Sequence, residues 1–186
     1  MRVAPPPRRC RIYLIRHPRP AAAEGLCYGA SELDLAEDAA ACAALLKREL
    51  PPKLPLFSSP MRRCRLLAQH LHPQPAYDAR LREMHFGAWE MRPWNDLPRD
   101  QLDAWAAAPL DYVPPGGESV AALRARVADF IAERSRDLHG DYAVVAHAGV
   151  MKIFAAVCQQ LEPAEWFKLQ FEFGRMAVME YPEAGV

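Results

Sequence analysis

Five consecutive apolar residues, Tyr142-Ala143-Val144-Val145-Ala146, run straight into His147-Ala148-Gly149, and no other segment limits the fold as much. So short an apolar run predicts a strand buried on both faces, the setting of a parallel sheet covered by helices. Two further segments repeat the pattern of an apolar run stopped by polar residues. Residues 11–15, Arg-Ile-Tyr-Leu-Ile, end at Arg16-His17-Pro18, where the proline forces the strand to stop and holds His17 extended. Leu54-Pro55-Leu56-Phe57 leads to Ser58-Ser59-Pro60.

Helical segments separate these runs. Helix formers dominate from Leu35 to Leu50, and Pro51-Pro52 stop them. Ser59 as N-cap with Pro60 at the first helical position predicts a helix to about Leu71. Val120, Leu123, Val127, Phe130, Ile131 and Leu138 share one face of a helix that starts near Glu118 and ends at Gly140. A helix from Val150 to Gln160 follows the His147-Ala148-Gly149 turn, and a last strand is expected at 176–181. Residues 18–34, rich in Pro, Ala and Gly, read as a long loop. The stretch 73–116 is mixed, with a short strand near 76–82 and the aromatics Phe86, Trp89, Trp94, Trp105 and Tyr112. Alternation of this kind predicts an α/β fold, a three-layer α/β/α sandwich on a mostly parallel central sheet. The 186 residues suit one domain, expected at 11–186, with residues 1–10 as a flexible arm.

Charge removes several classes of function. Lys plus Arg and Asp plus Glu each number 23, so the net charge is zero and nothing steers the chain to nucleic acid or an anionic membrane. Its apolar runs are too short for a bilayer-spanning helix, and the basic, proline-rich start leads into no apolar signal core, so a cytoplasmic protein is expected. Five scattered cysteines without a CxxC pair give neither a disulfide framework nor a zinc knuckle.

In open α/β sheets ligands gather at the carboxyl ends of the strands, where Arg16-His17, Ser58-Ser59 and His147 all fall. Arginine and histidine without a set of metal ligands point to an anion, since guanidinium matches phosphate oxygens and imidazole serves as nucleophile or donor. The other histidines carry less. His70 and His72 read as surface residues, His85 lines or caps a pocket, and His139 suits a helix C-terminus. A zinc site built on His70 and His72 lacks the usual ligands.

Four ordered motifs carry a resemblance: Leu14-Ile15-Arg16-His17; Ser58-Ser59-Pro60-Met61-Arg62-Arg63-Cys64; Leu81-Arg82-Glu83 through His85-Phe86-Gly87-Ala88-Trp89-Glu90; and Val144-Val145-Ala146-His147-Ala148-Gly149. Together they resemble the histidine phosphatase, or phosphoglycerate mutase-like, superfamily over residues 11 to about 160. The resemblance implies that His17 is transiently phosphorylated, that Arg16, Arg63 and His147 hold the phosphoryl oxygens, and that Glu83 is the proton donor. No metal or other cofactor is implied, and the partner is a small phosphomonoester.

The start departs from the family's RHGxT, because Pro18 and Pro20 stand where glycine and threonine are usual. A phosphate contact is then missing, or is supplied by Arg19 or a backbone amide. Arg16-His17-Pro18-Arg19-Pro20 with Glu24-Gly25-Leu26-Cys27-Tyr28-Gly29 is similar to the α-ribazole phosphatase subgroup, whose substrate is α-ribazole 5′-phosphate, a precursor in cobalamin synthesis. Tyr28, Gly29 and Ala148 are candidate substrate contacts on this likeness. The Cys27-Tyr28-Gly29 segment reads equally well as a plain turn. Glu118 and Ser119 resemble a substrate-facing GGES turn, or a helix N-terminus that only caps. The tryptophans cover the core or stack on a flat base. Rival activities are a phosphoglycerate mutase, a broad-specificity or phosphoprotein phosphatase, and a non-catalytic binder of phosphorylated ligands.

Overall fold

The two faces of the sheet part the apolar runs residue by residue. In the computed structural model, which describes residues 9–22, 24–138 and 140–182, strand β1 spans Arg9–Arg16 and strand β4 spans Tyr142–Ala146. Ile12 and Leu14 with Tyr142, Val144 and Ala146 face one core; Tyr13 and Ile15 with Ala143 and Val145 face the other. This is the period-two alternation of a pleated strand buried on both sides. The first core is closed by helices α4 (Val120–Asp137), α5 (Ala148–Gln159) and α6 (Pro163–Trp166), the second by α1 (Ala39–Leu46) and α2 (Arg62–Leu71). The three-layer α/β/α expectation therefore holds.

Strands β2 (Leu56–Ser58), β3 (Ala76–Tyr77) and β5 (Met176–Pro182) complete a sheet of order β3-β2-β4-β1-β5. All neighbours are parallel except β5, which runs antiparallel along β1. Because β1, β2 and β4 are parallel and adjacent, residues 17, 59 and 147 leave the sheet at the same edge. Backbone bonds tie them there, His17 N to Ala146 O at 3.1 Å and Ser59 N to Val145 O at 2.9 Å. A third, smaller cluster holds Cys27, Trp89 and Leu97, with Phe86, Trp94, Trp105 and Tyr112 around it. Helix α3 (Arg99–Ala107) lies in this part of the chain.

Several element ends differ from the sequence reading. Strand β1 starts at Arg9, inside the arm expected at 1–10; residues 1–8 lie outside the described residues, as do Ala23 and His139. Helix α1 starts at Ala39 instead of Leu35, because Leu35 pairs with Pro20 in an isolated bridge and the Asp38 carboxylate caps Ala40 N. Helix α2 is capped by Met61 rather than Ser59, whose hydroxyl is taken by His147 at 2.9 Å. The strand near 76–82 stops at Tyr77, where Asp78 caps a 3₁₀ turn over 79–81. Helix α5 begins two residues early, at Ala148 with His147 as its N-cap. No helix among the described residues is long and apolar enough to cross a membrane.

Phe130 is fully buried on α4, edge-on to Phe57 at 5.5 Å and to Phe154 at 6.1 Å. Phe130→Ala is expected to cost about 3–5 kcal/mol of unfolding free energy, read from urea denaturation.

Candidate active site

At the carboxyl edge of the sheet His17 and His147 meet edge to face, ring centroids 5.1 Å apart. Both are buried. His17 Nδ1 lies 2.7 Å from the Pro18 carbonyl, which can only accept, so Nδ1 carries the proton and Nε2 keeps its lone pair. His147 has the opposite arrangement. Its Nδ1 accepts from Arg63 Nε at 3.2 Å, a group that can only donate, and its Nε2–H therefore donates to Ser59 Oγ at 2.9 Å. Cys64 Sγ sits 3.4 Å from the same Nε2.

Two guanidiniums supply the charge. Arg63, from the first turn of α2, is fully buried and also donates to the carbonyls of Ser31 at 2.8 Å and Gly29 at 2.6 Å. Three of its five N–H groups are thus engaged, which leaves one on each terminal nitrogen for an anion. Arg16, at the end of β1, donates to Phe171 O at 2.6 Å and lies 3.5 Å above the Phe173 ring. Its buried Nε has no hydrogen-bond partner among the described residues. Glu83 completes the group. Its two carboxylate oxygens accept from Met84 N and Gly149 N, both at 3.0 Å, and a Cβ on Gly149 would stand 2.3 Å from one of them. Only glycine admits the carboxylate this close to the start of α5.

Protonation follows from burial in this field. Desolvation, reinforced by the Arg63 charge and then Arg16, drives the His17 pKa down to about 3. Burial, then Arg63 and His17, pushes that of His147 well below its usual value. Both imidazoles are neutral at physiological pH.

The structure thus brings Arg16, His17, Arg63, Glu83 and His147 together, with Ala148 beside them as the first residue of α5. Arg19, Tyr28 and Phe173 line a cavity of about 320 Å³; His17 is not part of its wall, but its ring touches Phe173, which is, and Arg19 also bonds Glu37 through its amide at 2.9 Å. Gly29 lies against the Met84 carbonyl, where a Cβ would come within 1.8 Å. Glu118 and Ser119 are engaged elsewhere: Glu118 pairs with Arg126 at 2.6 Å, and Ser119 caps α4 through Ala122 N. Trp89 is fully buried in the aromatic cluster rather than open to a ligand.

Two site residues escaped the sequence reading. Phe173 touches the His17 ring at 5.5 Å and lies under both Arg16 and Arg19, yet is more than 150 residues away in sequence. Glu90 collects the amides of Gly29, Ala30, Ser31 and Phe86 and the Ser31 hydroxyl. Burial alone would raise its pKa, but those bonds, Ser31 first, hold it below the ordinary carboxylate value. Its position at the end of the His85–Glu90 motif was the available signal.

The sequence profile of the histidine phosphatase superfamily (branch 1) matches residues 12–186. A candidate phosphoserine phosphatase 2 from Hydrogenobacter thermophilus is 32% identical over 158 residues, covering 80% of this chain and 77% of that one. The adenosylcobalamin/α-ribazole phosphatase of Salmonella typhimurium is 31% identical over 121 residues, 62% of this chain but only 56% of that protein. Among solved structures, the α-ribazole phosphatase from Shigella flexneri superposes with a TM-score of 0.80 at 25% identity, covering 95% of this chain and 98% of that one.

The neutral histidines set an acid limit on stability. The unfolded chain binds a proton at His17 below about 6.5, whereas the folded chain does so only near 3. Folding stability from this group is therefore complete above pH 6.5 and is lost as pH falls towards 3, with His147 adding in the same direction. The melting temperature should fall steadily between pH 6.5 and 4, and less steeply in His17→Asn; equal slopes would mean that His17 is not held neutral by folding.

Proposed function

The chain belongs to the histidine phosphatase superfamily, and from that premise we propose that it hydrolyses phosphomonoesters through a phosphohistidine formed on His17. The observation that carries this reading is the 2.7 Å bond from His17 Nδ1 to Pro18 O, which leaves the Nε2 lone pair free beside two guanidiniums. Because the acceptor is a backbone carbonyl, proline in place of the family's usual glycine leaves this contact intact.

In the first step Nε2 attacks phosphorus and the P–O bond to the alcohol breaks, while Glu83 in its acid form gives its proton to the leaving oxygen. Arg16 and Arg63 face the charge that spreads over the three equatorial oxygens. In the second step the Glu83 carboxylate takes a proton from water, the hydroxyl adds to phosphorus and the P–N bond breaks. Phosphate leaves, and His17 is neutral again.

The substrate proposed is α-ribazole 5′-phosphate. The α-ribazole phosphatase likeness supports it, as does the cavity between Tyr28 and Phe173, whose aromatic walls suit a flat base. Phosphoserine is the second reading, favoured by the more extensive match to the Hydrogenobacter protein. A cytoplasmic, single-domain enzyme remains the expectation.

Phosphate release from α-ribazole 5′-phosphate, O-phosphoserine, 3-phosphoglycerate and p-nitrophenyl phosphate separates these readings. The ribazole ester should give the highest kcat/KM, and His17→Ala should lower every rate by at least about 10³-fold while retaining the fold. A fully active His17→Ala protein would sink the phosphohistidine, and preference for phosphoserine would replace the substrate.

A further inference from the structure

We propose that Arg126 is the positioning residue for Glu83, and that Glu118 holds Arg126 in place for that task. The proposal rests on the acid role given to Glu83 above. Arg126 lies on α4, outside the group of side chains that face the phosphoryl position. Its Nη1 donates to the carbonyls of Arg80 and Arg82, each at 2.6 Å, and its Nη2 to the carbonyl of Glu83 itself at 3.1 Å. Nη2 also meets Glu118 Oε1 at 2.6 Å, and Nε meets Oε2 at 3.2 Å. A guanidinium has five N–H donors, and these five acceptors match them one for one. Nothing is left over for a ligand, so Arg126 acts entirely on protein groups.

Glu118 extends the grip to the other side of the acid by accepting from His85 N at 3.0 Å. The backbone before and after Glu83 is thus fastened to Arg126 in the second turn of α4 and to Glu118 just ahead of the helix, while its carboxylate is held by Met84 N and, from α5, by Gly149 N. The carboxyl group is fixed both at its backbone and at its oxygens. The pair is bidentate and only about a fifth exposed, and the carbonyls of Arg80, Arg82 and Glu83, which lead straight into the acid, give it a geometric purpose. Proton donation demands a heavy-atom approach within hydrogen-bond reach of the leaving oxygen, and a displacement of about 1 Å can cost roughly 100-fold.

The test uses leaving groups that differ in their need for a proton. Alkyl oxygens, as in α-ribazole 5′-phosphate and O-phosphoserine, need one; the p-nitrophenolate ion hardly does. Arg126→Gln should lower kcat on the alkyl esters by roughly 10- to 100-fold and on p-nitrophenyl phosphate by less than about threefold. Arg126→Lys, which has too few donors for five acceptors, should fall between. Added to Glu83→Gln, Arg126→Gln should cost nothing more, because it acts only through the lost acid. Equal losses on both ester types, or a further loss in the double variant, would overturn the positioning role. Glu83→Gln alone reports separately on the acid: without an alkyl-over-aryl loss in that variant, the acid reading fails and the proposal with it. Should near-UV circular dichroism show Arg126→Gln unfolded, Glu118→Gln takes its place under the same criteria, with a smaller expected split.

Discussion

The architecture of the site depends on burying one guanidinium completely. Taking the Arg63 charge out of water is costly unless every side of it finds a partner. The chain supplies three partners, the carbonyls of Gly29 and Ser31 and the His147 imidazole, and the two remaining N–H groups are those left for an anion. Each partner is fixed in return. His147 must present Nδ1 as acceptor, which sets its tautomer, and the loop after β1 must fold back so that residues 29–31 reach α2. Glu90 holds the amides of those same residues, so the loop is clamped through its carbonyls by a cation and through its N–H groups by an anion. Glu90 follows Trp89, the buried centre of the aromatic cluster. Packing at the periphery thus decides where the buried Arg63 charge stands.

The same charges explain why two buried histidines stay unprotonated. Burial disfavours any charged imidazole here, and a third cation beside Arg63 and Arg16 would also face repulsion, so the imidazoles give up their protons instead. The site is preorganised for an anion. Its positive potential is in place before any ligand arrives, and the group that would attack retains a lone pair at neutral pH.

Much of this was legible locally. Strands β1 and β4 could be read because both of their faces are buried, leaving an unbroken apolar run as the signature, and Arg16, His17 and His147 follow directly at their ends. Arg63 and Glu83 have no such marker and were placed only through the resemblance of ordered motifs. The misread helix starts share a cause. Ser59 has the chemistry of an N-cap, but its hydroxyl is taken by a histidine 88 residues later, and Leu35 is held extended by Pro20. Glu118 shows the same limit at the site. Beside Ser119 it could be read as facing substrate or as belonging to a helix start, and the partner that decides, Arg126, is eight residues on, at a spacing that no local pattern singles out. Phe173 was invisible for a plainer reason: one aromatic residue in an irregular segment gives no periodicity, and its role comes only from the antiparallel return of β5 alongside β1.

The aromatic cluster also divides the protein optically. Three of the four tryptophans, Trp89, Trp94 and Trp105, lie within 6.3 Å of one another by ring centroid, with Trp94 and Trp105 nearly parallel; Trp166 lies apart from them, stacked on Phe167 in the sheet-and-helix core. Intrinsic fluorescence and near-ultraviolet dichroism therefore report mainly on the small cluster that anchors Glu90, whereas far-ultraviolet dichroism reports on the helices and sheet. Followed side by side, the two signals separate loosening of the anchor that holds residues 29–31 from melting of the scaffold beneath it.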